Sequence, residues 1–481
     1  MATSDPRAAA AAALLRDGAL LTELGTRFAD AGYELALVGG SVRDALLGRL
    51  QQDADLDFTT NARPEQMQAV LAPWADAMWD VGIRFGTIGV RKGDRKCEIT
   101  TYRTEVYDAD SRKPQVSFGD SLDVDLGRRD FTMNALAIRL PRLEFVDLFN
   151  GLDDLEAGVL RTPIDAIELF NDDPLRMMRA ARFASQLDMD VAPDVVRAMH
   201  ELAERITIVS AERVRDEFSK LIMGVNPRKG LAYLVETGLA DHVLPELGKL
   251  KLEVDEHHHH KDVYEHTLTV LDQAIELETM HEPPTGPDEV LRLAALLHDI
   301  GKPKTRKFEQ DGGVSFHHHE IVGARMTKKR MQAMRYSNEM IEEVSTLVEL
   351  HLRFHGYGTG DWTDSAVRRY VRDAGDQLVR LHKLTRADCT TRNHRRATAL
   401  RNAYDDLERR IAKLAEEEEL AAIRPDLDGQ QIMQILQIEP GPAVGKAYKY
   451  LLELRLDQGP MDEAAATKAL LEWWGATQQS G

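Results

Sequence analysis

A glycine turn between an apolar run and a helix-like segment, followed by two aspartates one residue apart, constrains this 481-residue chain most. The run Leu35–Val38 predicts a buried strand and Gly39-Gly40-Ser41 a tight turn. Residues Val42 to Leu47 predict the first turns of a helix whose free N–H groups can hold phosphate. Because side chains alternate along a strand, Asp55 and Asp57 are expected on one face, close enough to share divalent cations.

Paired divalent cations suit phosphoryl transfer, since one activates an attacking oxygen and the other neutralises the leaving phosphate. The pattern therefore predicts a catalytic nucleotide site. The alternative interpretation is an ordinary strand-to-helix turn followed by a solvated hairpin, and either half of the pattern alone would favour it.

Two residue pairs further along the chain can recognise a nucleotide. Asp130 and Asn134 can accept from and donate to the two hydroxyls of a ribose, which favours ribonucleotides. Asp173 and Arg176 are predicted at positions i and i+3 of one helix, where they offer an acceptor beside a fork-shaped donor to a base edge. An intrahelical salt bridge is the alternative for this second pair.

Four arginines accompany these pairs. Arg179 and Arg182 are expected to continue the stripe of Arg176, either as triphosphate contacts or as surface charge. Arg128 and Arg129 stand beside the predicted ribose-binding aspartate, where they would contact phosphate or form a solvated pair.

The block from Leu37 to Asp57 resembles the opening motif of the class II tRNA nucleotidyltransferases, the CCA-adding enzymes, and of the related bacterial poly(A) polymerases. Later segments match the family's motifs in order: 128–135 the ribose-selecting segment, 147–151 the hinge between catalytic head and neck, 172–183 the nucleotide-selecting helix, and 210–218 the next motif. The family's usual Glu-Asp pair stands here as Asp172-Asp173. The resemblance covers about the first 250 residues.

The resemblance implies selection of CTP or ATP by protein hydrogen bonds without a nucleic-acid template, and Mg²⁺ in the head. It also implies a third carboxylate, Glu98, that helps to deprotonate the primer hydroxyl; an exposed strand residue paired with Arg95 or Arg103 is the alternative. The candidate catalytic residues are Asp55, Asp57 and Glu98, the first two also as metal ligands, and the candidate nucleotide-binding residues are Gly39, Gly40, Ser41, Arg43, Arg128, Arg129, Asp130, Asn134, Asp173, Arg176, Arg179 and Arg182.

Beyond about residue 250, helical periodicity dominates and histidines become abundant. The string Leu296–Lys302 resembles the signature of HD-domain phosphohydrolases, and further imidazoles and carboxylates stand before and after it where that family has them. Such a mixture binds Mn, Fe, Ni, Co, Zn or Mg ions. The implied minimal set is His266, His298, Asp299 and Asp388, with His319 and His351 as ligands of a second metal and Lys302 near a bound phosphate. The implied substrates are 2′,3′-cyclic phosphates, 2′-nucleotides or other phosphomonoesters at damaged RNA ends.

Composition restricts the compartment and the RNA partners that this chain is expected to have. Two cysteines give no disulfide framework, and the sequence shows neither a signal peptide nor an 18-residue apolar span, so a reducing cytosol is expected. The net charge of −19 argues against a general poly(A) polymerase that grips arbitrary RNA. Basic clusters can still engage phosphate as helix faces: Arg325, Lys328, Lys329, Arg330 and Arg335; Arg368, Arg369 and Arg372; and Arg386, Arg392, Arg395, Arg396 and Arg401. Solvated helix faces are the alternative.

We therefore predict an α+β protein with a polymerase-β-like nucleotidyltransferase head, an all-α neck and body, an all-α HD domain and a helical tail. The expected boundaries are a leader helix at 1–30, the head at 31–151, the neck and body at 152–254, the HD domain at 255–395 and the tail at 396–481.

The predicted function is addition of CCA to tRNA from CTP and ATP, with no membrane and no obligate protein partner. The polar segment Tyr107–Pro114 resembles the flexible loop that lets full CCA-adding enzymes switch to ATP, so terminal A is expected. Alternatives are CC-only or A-only tailing, polyadenylation, or a binding protein whose inactive head presents RNA to an HD hydrolase.

Overall fold

The computed structural model describes residues 17–51, 53–82, 86–106, 115–251, 263–310, 314–354, 357, 362–389, 394–418 and 424–479. It divides into two compact units, residues 1–248 and 249–481. The first part of the expected leader helix, residues 1–16, and the predicted loop at 107–114 lie outside the described residues. None of the described helices is long and apolar enough to cross a membrane.

The first unit carries the mixed sheet and most of the strands. Its elements are α1 (Gly18–Asp30), β1 (Leu35–Val38), α2 (Gly40–Leu46), β2 (Leu56–Thr60), α3 (Pro64–Leu71), β3 (Ala77–Gly82), β4 (Thr87–Lys92), β5 (Arg95–Thr101), β6 (Arg103–Val106), β7 (Gln115–Phe118), α4 (Leu122–Gly127), β8 (Leu136–Leu140), β9 (Glu144–Asp147), α5 (Gly151–Ala157), β10 (Val159–Leu160), α6 (Ala166–Asp172), α7 (Leu175–Leu187), β11 (Asp190–Val191), α8 (Pro193–Leu202), α9 (Ala211–Ile222), α10 (Pro227–Glu236), α11 (Leu239–Val243) and α12 (Pro245–Gly248).

Seven strands form one sheet in the order β3-β4-β5-β2-β1-β8-β9, in which β2 and β5 run parallel. The predicted buried strand is confirmed, since all four residues of β1 are buried. Gly39 makes the predicted turn with a positive φ of 70°, a conformation that glycine adopts without strain, so the helix begins at Gly40, two residues earlier than predicted.

A backbone corner joins the sheet to the helices that follow it. The carboxylate of Asp147 at the end of β9 accepts hydrogen bonds from the backbone N–H groups of Gly151, at 2.8 Å, and Leu152, at 3.0 Å, at the start of α5. A Cβ atom at Gly151 would lie 2.2 Å from the carbonyl oxygen of Thr132, so only glycine fits there. This corner lies in the segment that resembles the family's hinge, and it anchors α5 beside the ribose-selecting segment.

The second unit is helical apart from one short hairpin. Its elements are α13 (Val263–Met280), α14 (Glu289–Leu297), α15 (Lys302–Thr305), β12 (Lys307–Phe308), β13 (Val314–Ser315), α16 (His319–Ala333), α17 (Asn338–Leu350), α18 (Asp364–Ala374), α19 (Leu378–Ala387), α20 (His394–Glu418), α21 (Gly429–Leu436), α22 (Pro442–Gln458) and α23 (Glu463–Gln479). The predicted α+β class is confirmed, with the two-residue pairs β10–β11 and β12–β13 as small additions to regions predicted as all-α.

Candidate functional site

A polar cavity of about 480 Å³ opens in the first unit between the sheet and the start of α7. Its lining contains ten of the candidate residues. They are Gly39, Asp57, Glu98, Arg128, Arg129, Asp130, Asn134, Asp173, Arg176 and Arg179. The other head candidates, Asp55, Gly40, Ser41, Arg43 and Arg182, are not among the described residues of this lining.

Two carboxylates face the cavity from adjacent parallel strands. Asp57 of β2 pairs in register with Glu98 of β5, so their side chains point to the same face of the sheet. Leu56 and Phe58, on either side of Asp57, are buried and hold β2 in this register. Although Asp57 is open to the cavity, partial desolvation and the carboxylates of Glu98 and Asp55 raise its pKa to about 6, while Arg129 opposes the rise. A cation bound here would relieve this repulsion.

Ser41 is not among the described lining residues and instead binds the backbone of the two aspartates. Its buried hydroxyl donates to the carbonyl oxygen of Asp55 at 3.3 Å and accepts from the N–H of Asp57 at 3.2 Å. The first turn of α2 thereby fixes the backbone that carries both carboxylates.

The predicted ribose-binding pair is brought together. The amide of Asn134 donates to Asp130 at 2.9 Å, and Arg43 donates to the Asn134 oxygen at 2.8 Å. Arg179 donates to the second oxygen of Asp130 at 2.7 Å. Burial alone would raise the pKa of Asp130, but Arg179 and Asn134 outweigh it and hold that pKa well below its usual range. Asp130 is therefore a fixed acceptor at the cavity wall.

Asp173 and Arg176 do not share a helix face as predicted. Asp173 lies between α6 and α7 with extended backbone, φ −142° and ψ 99°, because the following Pro174 excludes the helical conformation at this position. Its carboxylate accepts from the N–H of Leu175 at 3.1 Å and pairs with Arg213 at 3.2 Å. The predicted helical spacing and the alternative intrahelical salt bridge are both wrong.

Arg176 instead binds backbone carbonyls. Its guanidinium donates to the oxygens of Leu169, at 3.1 Å, and Arg128, at 2.8 Å. Both Asp173 and Arg176 still line the cavity, so they can present polar edges to a ligand from the two sides of the α6–α7 corner.

The stripe predicted from Arg176 through Arg182 is also corrected. Arg182 is buried with 7% of its surface exposed and pairs with Glu217 at 3.0 Å, because Glu217 on α9 packs against this turn of α7. It is a buried support and not a surface charge, while Arg179 faces the cavity. Of the other lining arginines, Arg128 pairs with Asp172 at 2.7 Å and Arg129 with Asp125 at 3.2 Å.

Several lining residues were not predicted from the sequence. The cavity also contacts Val38, Phe58, Thr59, Thr100, Arg103, Asp125, Leu175 and Arg213. Asp125 is buried, accepting from the N–H of Arg103 at 3.2 Å and from the hydroxyl of Thr59 at 3.3 Å. Arg213 falls in the last matched motif, which was a usable signal; Asp125 belongs to no motif recognised in the sequence.

The second unit brings all six predicted HD-domain ligands together. They form two groups whose ligand atoms lie within 4.8 Å of one another: His266, His298 and Asp388 in one, and Asp299, His319 and His351 in the other. Asp299 connects the groups, because its carboxylate oxygens lie 3.2 Å from the Nε2 atoms of His298 and His319. Lys302 Nζ lies 2.6 Å from the same carboxylate.

The donor set fits divalent metal. The Nδ1 atoms of His298, His319 and His351 lie 2.6–2.8 Å from the carbonyl oxygens of the residues three positions earlier. Such bonds fix the tautomer that leaves Nε2 as a lone-pair donor. In the structure the Nε2 atom of His351 is buried without a hydrogen-bond partner, which is costly for a site that never binds a cation. Burial lowers the pKa of His351 to about 3, so its imidazole is neutral and able to ligate.

The cluster of Arg368, Arg369 and Arg372, and Arg386 of the next cluster, pair with acidic side chains within the second unit, whereas Arg395, Arg396 and Arg401 are exposed and Arg392 lies outside the described residues. Arg368 is buried and pairs with Glu418 at 2.7 Å, and Arg369 pairs with Asp457 at 2.8 Å. Arg386 pairs with Glu408 at 3.0 Å. These side chains join α18 and α19 to α20 and α22, so their predicted role as phosphate-binding or solvated faces is corrected to packing contacts.

Models of three known domain families match the chain in order. The Poly A polymerase head domain matches residues 35–161, a domain described as the probable RNA and SrmB-binding site of polymerase A matches 188–250, and the HD domain matches 263–419. Head and HD domains of these kinds imply use of a divalent metal, in agreement with the carboxylate and histidine clusters.

Three curated relatives illustrate the sequence similarity. The CCA-adding enzymes of Lactobacillus helveticus and Streptococcus sanguinis are 43% and 45% identical over 224 and 226 residues, 46% of this chain in each case. These alignments span only 54% and 55% of the relatives' length. The A-adding tRNA nucleotidyltransferase of Deinococcus radiodurans is 32% identical over 447 residues, covering 91% of this chain and 95% of that protein.

Solved structures share the fold. The CCA-adding enzyme of Bacillus stearothermophilus in complex with CTP superimposes with a TM-score of 0.69 at 23% identity, covering 96% of this chain and 98% of that one. The Thermotoga maritima CCA-adding enzyme complexed with tRNA superimposes with a TM-score of 0.59 at 18% identity and covers 95% of each chain.

Proposed function

Because this chain belongs to the family of tRNA nucleotidyltransferases and related poly(A) polymerases, we propose that it adds CCA to tRNA 3′ ends from CTP and ATP. The observation that carries the proposal is the pairing in register of Asp57 and Glu98 on the wall of a cavity that also contains Asp130 and Asp173. One cavity of nucleotide size therefore contains the two carboxylates, the predicted ribose-binding pair and the predicted base-binding pair.

Asp55 and Asp57 would hold Mg²⁺, which supplies charge neutralisation at the triphosphate and a more acidic primer hydroxyl. Glu98 accepts a proton from the primer hydroxyl or orients it. Asp130 and Asn134 bind the ribose hydroxyls, and the lining arginines Arg128 and Arg129 bind phosphate. Selection then needs no nucleic-acid template, because Asp173 and Arg176 address the base directly.

Addition of A alone is the second candidate. The relative from Deinococcus radiodurans that matches over 91% of this chain is named an A-adding enzyme. CTP supplied alone to a tRNA ending at the discriminator base separates the two candidates: incorporation of two cytidines supports CCA addition, and no incorporation, with A added to a tRNA ending in CC, supports the A-adding activity.

Deletion of residues 108–113 should remove A addition and leave CC addition nearly intact. The segment resembles the loop that lets the pocket accept ATP after two cytidines, and a polar, turn-rich lid of this kind acts on one step of the sequence. Separate measurements of CTP incorporation on a discriminator-ending tRNA and ATP incorporation on a CC-ending tRNA check this. Equal loss of both activities would refute a loop role specific to A.

Replacement of Arg176 by alanine should raise misincorporation of UTP and GTP more than it slows addition of the correct nucleotide. Arg176 lines the cavity and is held by the carbonyl oxygens of Leu169 and Arg128, so its loss frees the pocket wall that faces the base. Each nucleotide is supplied alone and the product ends are counted. Unchanged fidelity with a lowered melting temperature would assign Arg176 to a structural role.

For the second unit we propose a metal-dependent phosphohydrolase that acts on phosphate esters at RNA ends. The metal is a transition ion or Mg²⁺ held by the two ligand groups, and it supplies an activated water and charge neutralisation at the phosphate. Lys302, whose Nζ atom forms an ion pair with the carboxylate of Asp299, would bind a phosphate oxygen. The domain boundaries predicted from the sequence and a cytoplasmic location stay predictions.

A further inference from the structure

A basic and aromatic hairpin connects two of the HD-domain ligands. The described part of this surface comprises Lys304, Arg306, Lys307, Phe308 and Phe316, and we call it the hairpin surface. Phe308 is 70% exposed, so most of its ring can contact a ligand. The guanidinium of Arg306 lies 4.6 Å from the centroid of its ring, so a cation covers part of the ring while most of its surface meets solvent.

The hairpin surface is fixed to the metal-ligating cluster at both ends. Asp299 precedes it, and Gly301 packs so tightly that a Cβ there would lie 2.2 Å from the carbonyl oxygen of His319. On the other side, the carbonyl oxygen of Phe316 lies 2.8 Å from Nδ1 of His319. Lys302 Nζ lies 2.6 Å from Asp299 and 5.7 Å from the centroid of the Phe316 ring.

The antiparallel register sets the position of Phe308 relative to this cluster. Lys307 pairs with Ser315 and Phe308 with Val314, so Arg306 comes directly before the two paired positions and Phe316 directly after them. Two residues of strand advance about 7 Å, which is the length scale of one nucleotide. The exposed ring therefore stands about one nucleotide further from the metal-ligating cluster than Phe316.

The charges of this surface match nucleic acid. Lys304 and Lys307 are exposed and Arg306 is half-buried, within a protein whose net charge is −19. Glu309, the acidic residue that follows Phe308, is exposed and accepts a hydrogen bond from Ser315. Cations beside an exposed aromatic ring are the elements with which proteins bind single-stranded nucleic acid, since bases stack on the ring and phosphates pair with the cations. An apolar protein partner would not require this concentration of positive charge.

We propose that the hairpin surface binds the end of a single-stranded RNA, with a base stacked on Phe308 and its phosphates beside Lys304 and Lys307. The terminal phosphate ester then reaches the HD-domain ligands past Lys302. This inference rests on the proposed phosphohydrolase function and deepens it, because it makes an RNA end, rather than any small phosphate ester, the preferred substrate.

The test compares two substrates with full-length protein and Mn²⁺. One is an RNA hexanucleotide ending in a 2′,3′-cyclic phosphate, and the other is bis(p-nitrophenyl) phosphate, which has no base to stack. For Phe308→Ala we expect the ratio of kcat/KM for RNA to kcat/KM for the small diester to fall about fivefold or more, through KM for RNA. Phe308→Trp should restore the ratio.

Two further variants complete the comparison. Tyr448→Ala removes an aromatic ring that is 39% exposed on α22, outside the hairpin surface, and should leave the ratio within about twofold of wild type. Replacing Lys304 and Lys307 by alanine should reduce the dependence of KM for RNA on salt concentration. An unchanged ratio in Phe308→Ala, or an equal loss on both substrates, would overturn the inference.

A second readout does not depend on turnover. A hexanucleotide with a 3′-terminal 4-thiouridine is crosslinked to wild-type protein by light, and the modified peptide is mapped by mass spectrometry. We expect a crosslink within residues 304–308, whereas crosslinks confined to other segments would contradict the hairpin surface. A crosslink at 304–308 without hydrolysis of either substrate would support the surface and contradict the phosphohydrolase function.

Discussion

Replacement of Asp57 by asparagine should lower nucleotide addition by about 10³-fold or more, equivalent to about 4 kcal/mol of transition-state stabilisation. Asp57 faces the cavity beside Glu98, and together with Asp55 it forms the carboxylate pair that the sequence predicts as a cation site. Asparagine keeps the shape of the side chain but removes the charge. Stability without metal should be equal or slightly higher, because one of three repelling carboxylates is lost.

Addition to tRNA is measured under single-turnover conditions, and thermal melting reports the fold. Asp53→Asn is the matched control, since Asp53 is exposed in the same loop and outside the described lining of the cavity. Near-normal addition by folded Asp57→Asn protein would remove this residue from the catalytic site.

Replacement of Asp299 by asparagine should lower the rate of hydrolysis by the second unit about 10³-fold and weaken its binding of metal. The carboxylate lies 3.2 Å from Nε2 of both His298 and His319, so it belongs to both ligand groups at once. Nucleotide addition should persist, because the cavity that contains Asp57 lies entirely in the first unit.

Metal content by mass spectrometry and hydrolysis of a cyclic-phosphate RNA end are measured in parallel. Asp376→Asn changes an exposed aspartate of the same unit and serves as the control. If the Asp299 variant melts early, His351→Gln gives the same test, because His351 contributes only to the second ligand group. Full metal content and full hydrolysis in both variants would contradict the predicted HD centre.

Local patterns in the sequence were sufficient for the strand, turn and helix around Gly39, because alternation and glycine conformation depend on neighbouring residues. The arrangement of Asp173 and Arg176 was not predicted, since the effect of Pro174 on the preceding residue was overlooked in favour of helical periodicity. The local sequence therefore contained the signal for the correct arrangement.

Other errors came from contacts that are distant in the sequence. Arg182 is a buried support because it pairs with Glu217. Arg368 is buried because it pairs with Glu418, the last residue of α20. Only tertiary packing decides whether such an arginine meets a carboxylate or solvent. In the same way, motifs identified the six HD-domain ligands, but their division into two groups depends on how five helices meet.

We propose that one site in the head adds C, C and A in that order. A tRNA ending at the discriminator base is incubated with the wild-type protein, CTP and ATP together, and the product 3′ ends are sequenced. We expect most ends to carry CCA and to stop there. Ends that remain unextended while a tRNA ending in CC receives A, or ends that carry long A tails, would contradict it.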